Sequence, residues 1–428
     1  MFLVPHEGRL RGRFACVPDS CYLHEQRCQE KVVTRQDFIA RVQGRRSYPW
    51  RILAVADEDR EFPVNNLVYA LASENRIGDC SWVRPGKVAW EWWNDWGLTD
   101  VGFKPGIDTR TYKAYIDFAA EYGLEYVVLD EGWSDPRSGD VMRTIPAIDL
   151  PELVRYADLK GVGLMLWVVG NVLDDRLEEA CDYYANLGIK GFKVDFIDRD
   201  DQQAVELVYR LAEAAAARQL MLDIHGIYKP TGLNRTFPNI VNFDVTFPFI
   251  RMVQGPVDYT PGAFRNATRN GFRIDYRRPM SQGTRAHQVA AYIVFDAPLV
   301  MLCDSPSHYR ADDACTRFIA SRPVICDHTE VLSGEMGQYI VTARRNGGTW
   351  YVGGLTNWTP RELEIDLSFL DAGCHYEATL LADARDADIK PEKYTLVRRS
   401  ADSATRLKIA MAPGGGFALK LSPKPENH

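Results

Sequence analysis

Lys193 and Asp195 stand two residues apart inside residues 188–202, "GIKGFKVDFIDRDDQ". That stretch otherwise reads as a dry strand through Ile189, Gly191, Phe192 and Val194, then breaks into Asp198, Arg199, Asp200 and Asp201. Residues i and i+2 of a strand share a face, so the ammonium and the carboxylate point the same way. A charge in such a setting is costly unless it is paired or used. Two uses fit: a structural ion pair, or an aspartate held ionised by its cation and available as a nucleophile. Spacing alone leaves both open. Other apolar runs also end in polar or aromatic groups: Trp90 and Trp92 in "KVAWEWW", Asp130 and Glu131 after "LEYVVL", Trp167 in "GLMLWVV" and His225 after "LMLDI".

The elements that must position these groups alternate along the chain. Strands are predicted at residues 87–93, 124–133, 163–169, 188–195, 220–226 and 240–243, with a weaker seventh near 252–255 and a closing strand at 298–303. Helical spacing fills the gaps. Asp108 caps a helix in which Tyr112, Tyr115, Ile116 and Ala119 recur at helical intervals before Gly123 stops it. Further helices are predicted over residues 149–161, 173–188 and 200–218. Strand–helix alternation with short links implies a parallel sheet. Chemistry-bearing residues at strand ends point to a (β/α)8 TIM barrel over residues 86–322, close to the roughly 250 residues typical of that fold. An open doubly wound sheet is the runner-up, but no glycine-rich phosphate loop supports it. From residue 323 to 428 the period becomes two, with a hairpin at Asn346, Gly347 and Gly348, predicting a C-terminal antiparallel β-sandwich domain. The α/β chain thus divides into residues 1–85, a short segment without an evident core, then 86–322 and 323–428.

Composition excludes some functions. The 428 residues carry a net charge of −7, which argues against nucleic acid and anionic membranes as partners. No apolar run is long enough to span a bilayer. The first fourteen residues lack the apolar core of a signal peptide. Nine cysteines, without a CxxC pair or matching histidines, argue against zinc and favour a reducing compartment. The 20 tyrosines and 10 tryptophans include candidates for stacking on sugar rings, although most such residues fill cores. Carboxylates ringing a barrel mouth suit glycoside hydrolysis, which needs two of them across the scissile bond.

The segments "WVRPGKVAWEWWNDWG", "YVVLDEGWS", "GIKGFKVDFIDRDDQ", "DIHGIYKPTGLNRTFPN", "GPVDYTPGAF" and "MLCDSPSHY" together resemble glycoside hydrolase family 97, and "YIVTARRNGGTWYVGGLTNW" resembles its C-terminal sandwich. The Lys-x-Asp of the fourth strand resembles the family's retaining α-galactosidase branch, which implies that Asp195 is the nucleophile. Cleavage of a terminal α-linked galactose or glucose, with retention, is the expected activity, on an oligosaccharide or another α-galactoside. The resemblance also implies calcium, whose ligands have no clear counterpart here, and a bacterial, exported or periplasmic setting. Two departures stand out. Residues 1–85 resemble only the end of the family's N-terminal sandwich. The segment after "NIVNF" that carries the family's general acid and calcium ligands is shortened. By position Asp244 is the substitute acid, against the alternative of a loop cap. Lys193, Asp130, Glu131, His225, Trp90, Trp133 and Trp167 are the expected substrate-binding residues, with some of the tryptophans expected as barrel filling. An alternative is a catalytically impaired, sugar-binding relative without a general acid; aldolase or isomerase chemistry is a distant third. An uncovered barrel face is expected to drive self-association.

Overall fold

The computed structural model describes residues 2–45, 50, 52–99, 101–135, 137–243, 252, 256–260 and 262–424. Two hairpins open the chain: β1 (Phe2–His6) with β2 (Arg9–Arg13), and β3 (Pro18–Leu23) with β4 (Glu30–Arg35). Six parallel strands follow: β5 (Gly86–Ala89), β6 (Tyr126–Leu129), β7 (Gly163–Val169), β8 (Gly191–Asp195), β9 (Met221–Ile224) and β10 (Ile240–Phe243). A short pair, β11 (Asn266–Ala267) and β12 (Ser281–Gln282), precedes β13 (Leu299–Leu302). The parallel sheet runs β10-β9-β8-β7-β6-β5-β13. Close packing shapes it: a Cβ at Gly191 would stand 2.2 Å from the Met221 carbonyl of the neighbouring strand.

The sheet curls until its two ends meet. The Asn242 amide on β10 donates to Leu299 O at 2.6 Å and accepts Leu299 N at 3.0 Å on β13. Among the described residues the seventh barrel position is one parallel bridge, Tyr259 to Val300, with Met301 N donating to Tyr259 O at 3.1 Å. The seventh strand expected at 252–255 falls largely outside the described residues, and the bridge sits further along, at Tyr259.

Helices form where capping and periodicity place them. Thr109–Tyr122 begins with Asp108 accepting from Thr111 N and ends at Gly123, whose φ of 67° needs no Cβ. Leu150–Leu159 and Gln202–Ala217 are capped by Asp149 and Asp201. Tyr112, Tyr115, Ile116 and Ala119 are all buried against the barrel. Two readings need correction. The helix expected at 173–188 is two, Gly170–Asp175 and Leu177–Leu187, broken at the non-helical Arg176. The strand expected through Trp93 ends at Ala89, because Asn94 folds the chain back: its amide donates to Trp90 O and Cys303 O and accepts from Gly97 N.

The C-terminal part holds β14 (His328–Glu335), β15 (Tyr339–Asn346), β16 (Thr349–Thr356), β17 (Arg361–Asp366), β18 (Tyr376–Asp383), β19 (Tyr394–Ala401), β20 (Arg406–Met411) and β21 (Gly416–Pro423). Six form one antiparallel sheet, β14-β15-β16-β21-β18-β19, and β17 pairs with β20. Ile365, Leu407 and Ile409 share a core with Val341, Val352 and Leu419, so the small sheet covers one face of the large one. The other face packs on the helix Arg285–Val294, where a Cβ at Gly353 would meet Ala290 O at 2.8 Å.

Candidate active site

The C-terminal ends of β5, β6, β8 and β9 bring together most of the groups singled out from sequence. Lys193, 2% exposed, donates from Nζ to Asp130 Oδ2 at 2.9 Å and lies 5.1 Å from the centre of the Trp90 ring. Trp90 Nε1 donates to the same Asp130 oxygen at 2.7 Å. Burial opposes the Lys193 charge, but Asp130, Asp195, Asp258 and Asp223 outweigh it and hold the ammonium above its ordinary pKa. One cation therefore serves several carboxylates. The two uses posed by the Lys-x-Asp pair divide between partners: Lys193 is ion-paired to Asp130, and Asp195 stands beside it.

Among the described residues Asp195 has no ion-pair partner of its own within 4 Å. Its Oδ2 accepts from Trp167 Nε1 at 3.1 Å and its Oδ1 from Phe196 N at 2.6 Å. Phe196 and Asp198 adopt φ of 59° and 47°, a region that side-chain-bearing residues enter at a cost of about 1–3 kcal/mol each. Asp198 N donates to Gly226 O at 2.6 Å and fixes that turn. Gly226 must be glycine: its φ is 57°, and a Cβ would stand 2.8 Å from Asp195 Oδ1. A strained turn at the end of β8 and a bare backbone at the end of β9 thus close on the Asp195 carboxylate, which stays 7% exposed.

Around this pair lie groups with displaced protonation. His225 Nδ1 pairs with the buried Asp258. Burial disfavours the imidazolium, yet Asp258 dominates and raises it to about 9. Asp223 is fully buried beside the Asn242 amide, which is turned to the Leu299 backbone. Burial first and Asp258 second push its carboxyl well above the usual range. Glu91 is equally buried and is raised to about 8 by burial and by Asp130, although Tyr112 OH and Asp130 N both donate to its Oε1 at 2.7 Å. Glu131, at the rim, is raised by burial and by Asp130 and Asp195, while Arg27, with Nε 3.6 Å from Oε1, pulls the other way.

The expected residues do not all serve alike. Asp130, Glu131, Lys193, Asp195, His225, Trp90 and Trp167 gather at the mouth. Trp133 does not: it is wholly buried, donates from Nε1 to Trp167 O at 2.6 Å and packs edge-on against Tyr184, so it fills the core. Trp92 is 42% exposed and lies 6.1 Å from the Trp90 ring, nearly parallel to it. Asp244, the expected acid, lies outside the described residues. Sequence reasoning passed over Glu91 and Asp223, although both are acids set in apolar strand ends, the very signal that singled out Asp195. It also missed Arg27, whose approach depends on a distant hairpin. Among the described residues no group of three or more His, Cys, Asp or Glu is arranged to hold a metal ion, so the calcium implied by resemblance finds no ligand set there. No helix among them is long and apolar enough to cross a membrane.

Comparison with known proteins gives this geometry a context. Residues 92–246 match the family model described as glycoside hydrolase 97, and residues 325–422 match the model described as glycosyl-hydrolase 97 C-terminal, oligomerisation. The chain is 47% identical over 414 residues to a retaining alpha-galactosidase of Bacteroides thetaiotaomicron, covering 92% of this chain and 62% of the relative. It is 30% identical over 435 residues to a probable retaining alpha-galactosidase of Streptomyces bingchenggensis, covering 96% and 64%. The chain thus spans less than two thirds of the length of the curated relatives it matches. A family 97 glycoside hydrolase from a Pseudoalteromonas species, solved in complex with acarbose, superposes with a TM-score of 0.77 at 28% identity, covering 86% of this chain and 65% of that one.

Proposed function

This chain belongs to glycoside hydrolase family 97, and from that premise we propose that it is a retaining α-glycosidase that releases terminal α-linked galactose. The observation that carries the reading is the Asp195 carboxylate, held by Trp167 and Phe196 at the barrel mouth beside the buried Lys193–Asp130 pair. Asp195 attacks the anomeric carbon and forms a glycosyl ester as the bond to the leaving oxygen breaks. A second carboxyl gives that oxygen its proton, then takes one from the water that hydrolyses the ester. Among the described residues Glu131 is the proposed donor, because it stands at the rim beside Asp130 and Asp195 and burial, with those two charges, raises its carboxyl from its ordinary pKa. Asp244 is the other proposed donor, on its position in the sequence. Lys193, Asp130, His225 and Trp90 are proposed to orient the sugar.

Asp195→Asn is expected to lower kcat/KM on an aryl α-galactoside by at least about 10³-fold, some 4 kcal/mol of barrier, with the α-anomer released first by the wild type in NMR. Wild-type turnover by the variant would remove Asp195 from the mechanism. Glu131→Gln and Asp244→Asn, each assayed with good and poor leaving groups, separate the donors: loss of kcat/KM confined to poor leaving groups, with turnover of activated substrates raised by azide, which attacks the glycosyl ester without a base, marks the acid. Cleavage of activated substrates alone by the wild type would favour the acid-deficient relative. Parallel assay of α-glucosides tests the choice of sugar. Calcium is a proposal resting on resemblance alone. Activity that survives dialysis against EDTA and gains nothing from added calcium would remove it. Self-association is likewise proposed, supported by the description of the C-terminal family model.

A further inference from the structure

Charges that follow β8 hold the N-terminal hairpin. Arg199 pairs with Glu30 and with Asp201, and Arg35 reaches Asp201 Oδ2 at 3.0 Å. The turn between β3 and β4 is thereby laid across the loops that follow β6, β7 and β8. Gln29, 3% exposed, donates from Nε2 to Phe196 O at 2.9 Å and to Asp198 Oδ2 at 2.7 Å. Asn171, just after β7, donates to Cys28 O at 2.8 Å and accepts Glu30 N at 3.1 Å. Cys28 is held at φ 53° with its thiol 3.4 Å from Arg137 O. Three consecutive residues are thus gripped by three loops, and the residue before them, Arg27, is fixed in place.

Arg27 is set at the rim. Its guanidinium lies 4.7 Å above the Phe196 ring, one residue beyond Asp195, and its Nε is 3.6 Å from Glu131 Oε1, one residue beyond Asp130. The side chain is still 45% exposed. A guanidinium carries five N–H donors in a rigid fork and accepts nothing. Beyond the contact to Glu131 and the stack on Phe196, no described residue takes a further donor of this fork, which stands half exposed at the rim. The floor, with Lys193 and Asp195, faces the sugar that is cleaved; the rim faces what that sugar is attached to.

We infer that Arg27 is a specificity-determining residue that hydrogen-bonds hydroxyls of a second sugar on the leaving-group side, so that the docked hairpin directs this site toward galactosyl oligosaccharides rather than aryl galactosides. The inference rests on the proposed function. Its test compares kcat/KM for an α-galactosyl disaccharide, a nitrophenyl α-galactoside and methyl α-galactoside; the last, a poor leaving group without a second sugar, shows any change that comes through proton donation by Glu131. Arg27→Met, which keeps apolar packing on Phe196, is expected to lower the disaccharide-to-aryl ratio roughly tenfold or more, as loss of a charged hydrogen bond does. Arg27→Lys, which keeps the charge but not the fork, is expected to restore part of it. An unchanged ratio, or a loss on methyl α-galactoside equal to that on the disaccharide, overturns the inference. Calorimetry keeps it separate from the catalytic reading: if the wild type cleaves neither substrate, that reading fails, while tighter binding of the disaccharide than of galactose, erased in Arg27→Met, still supports Arg27. Equal wild-type affinities for the two sugars overturn it. A thermal melt of each variant identifies unfolding.

Discussion

At the scale of single residues, the site is a problem in sharing charge. Lys193 and Asp130 are buried to 2% and 3% exposure, bonded to one another. Removing one partner of such a pair strands the other, at a cost of about 3–5 kcal/mol. Lys193→Met is therefore expected to lose about that much stability in urea melts, with Lys193→Met/Asp130→Leu recovering part of it. The displaced protons make stability fall on the alkaline side. Glu91 is raised from its ordinary 4.5 to about 8 and His225 from 6.5 to about 9. In each case the folded protein holds a proton that the unfolded chain releases first. Their contribution is fully present below the unfolded value and is lost as pH climbs through the folded one. The two losses overlap between about pH 6.5 and 8, and His225 alone carries the decline on to about 9. Glu91→Gln is expected to flatten the decline up to pH 8, and His225→Asn its upper end, measured as unfolding free energy against pH.

At the scale of elements, one aspartate joins two jobs. Asp201 caps the helix Gln202–Ala217 through Ala204 N and receives both Arg35 and Arg199. Loss of a cap alone costs about 1 kcal/mol. Asp201→Ala is expected to cost more, about 2–4 kcal/mol, since two arginines lose their acceptor, and to release the hairpin to protease at its turn. Which elements were legible follows from where their signals lie. Asp108, Asp149 and Asp201 write helix starts in the sequence itself, and β10 and the hairpin at Gly347 appear where their local patterns put them. Lys193 and Asp195 were legible because charge inside an apolar strand is a local contradiction. Arg27, Gln29 and the barrel seam were not: each depends on a partner more than 50 residues away. Nor did β19 announce itself, because six of its eight residues are exposed and show no alternation.

At the scale of the molecule, the barrel carries the chemistry and the C-terminal sheets buttress the helix Arg285–Val294 on its outside. Trp50, Leu53 and Val55 expose 74%, 86% and 82% of their surface near the N-terminal hairpins. Large apolar side chains exposed to that extent favour recruitment of a partner. In light scattering a mass above the 48.5 kDa of one chain is expected, falling toward it in Leu53→Asp; a monodisperse single chain at high concentration would count against self-association.

The Asn242 amide gives the cylinder a zipper with one tooth. Elsewhere neighbouring strands share backbone ladders, whereas among the described residues this join is fastened by a side chain and the Tyr259 bridge. Such a join is where the wall should breathe soonest, and Asp258, which holds His225, hangs from it. Amide exchange at Leu299 and Met301 should thus report from the far side of the seam whether a sugar has settled in the cup.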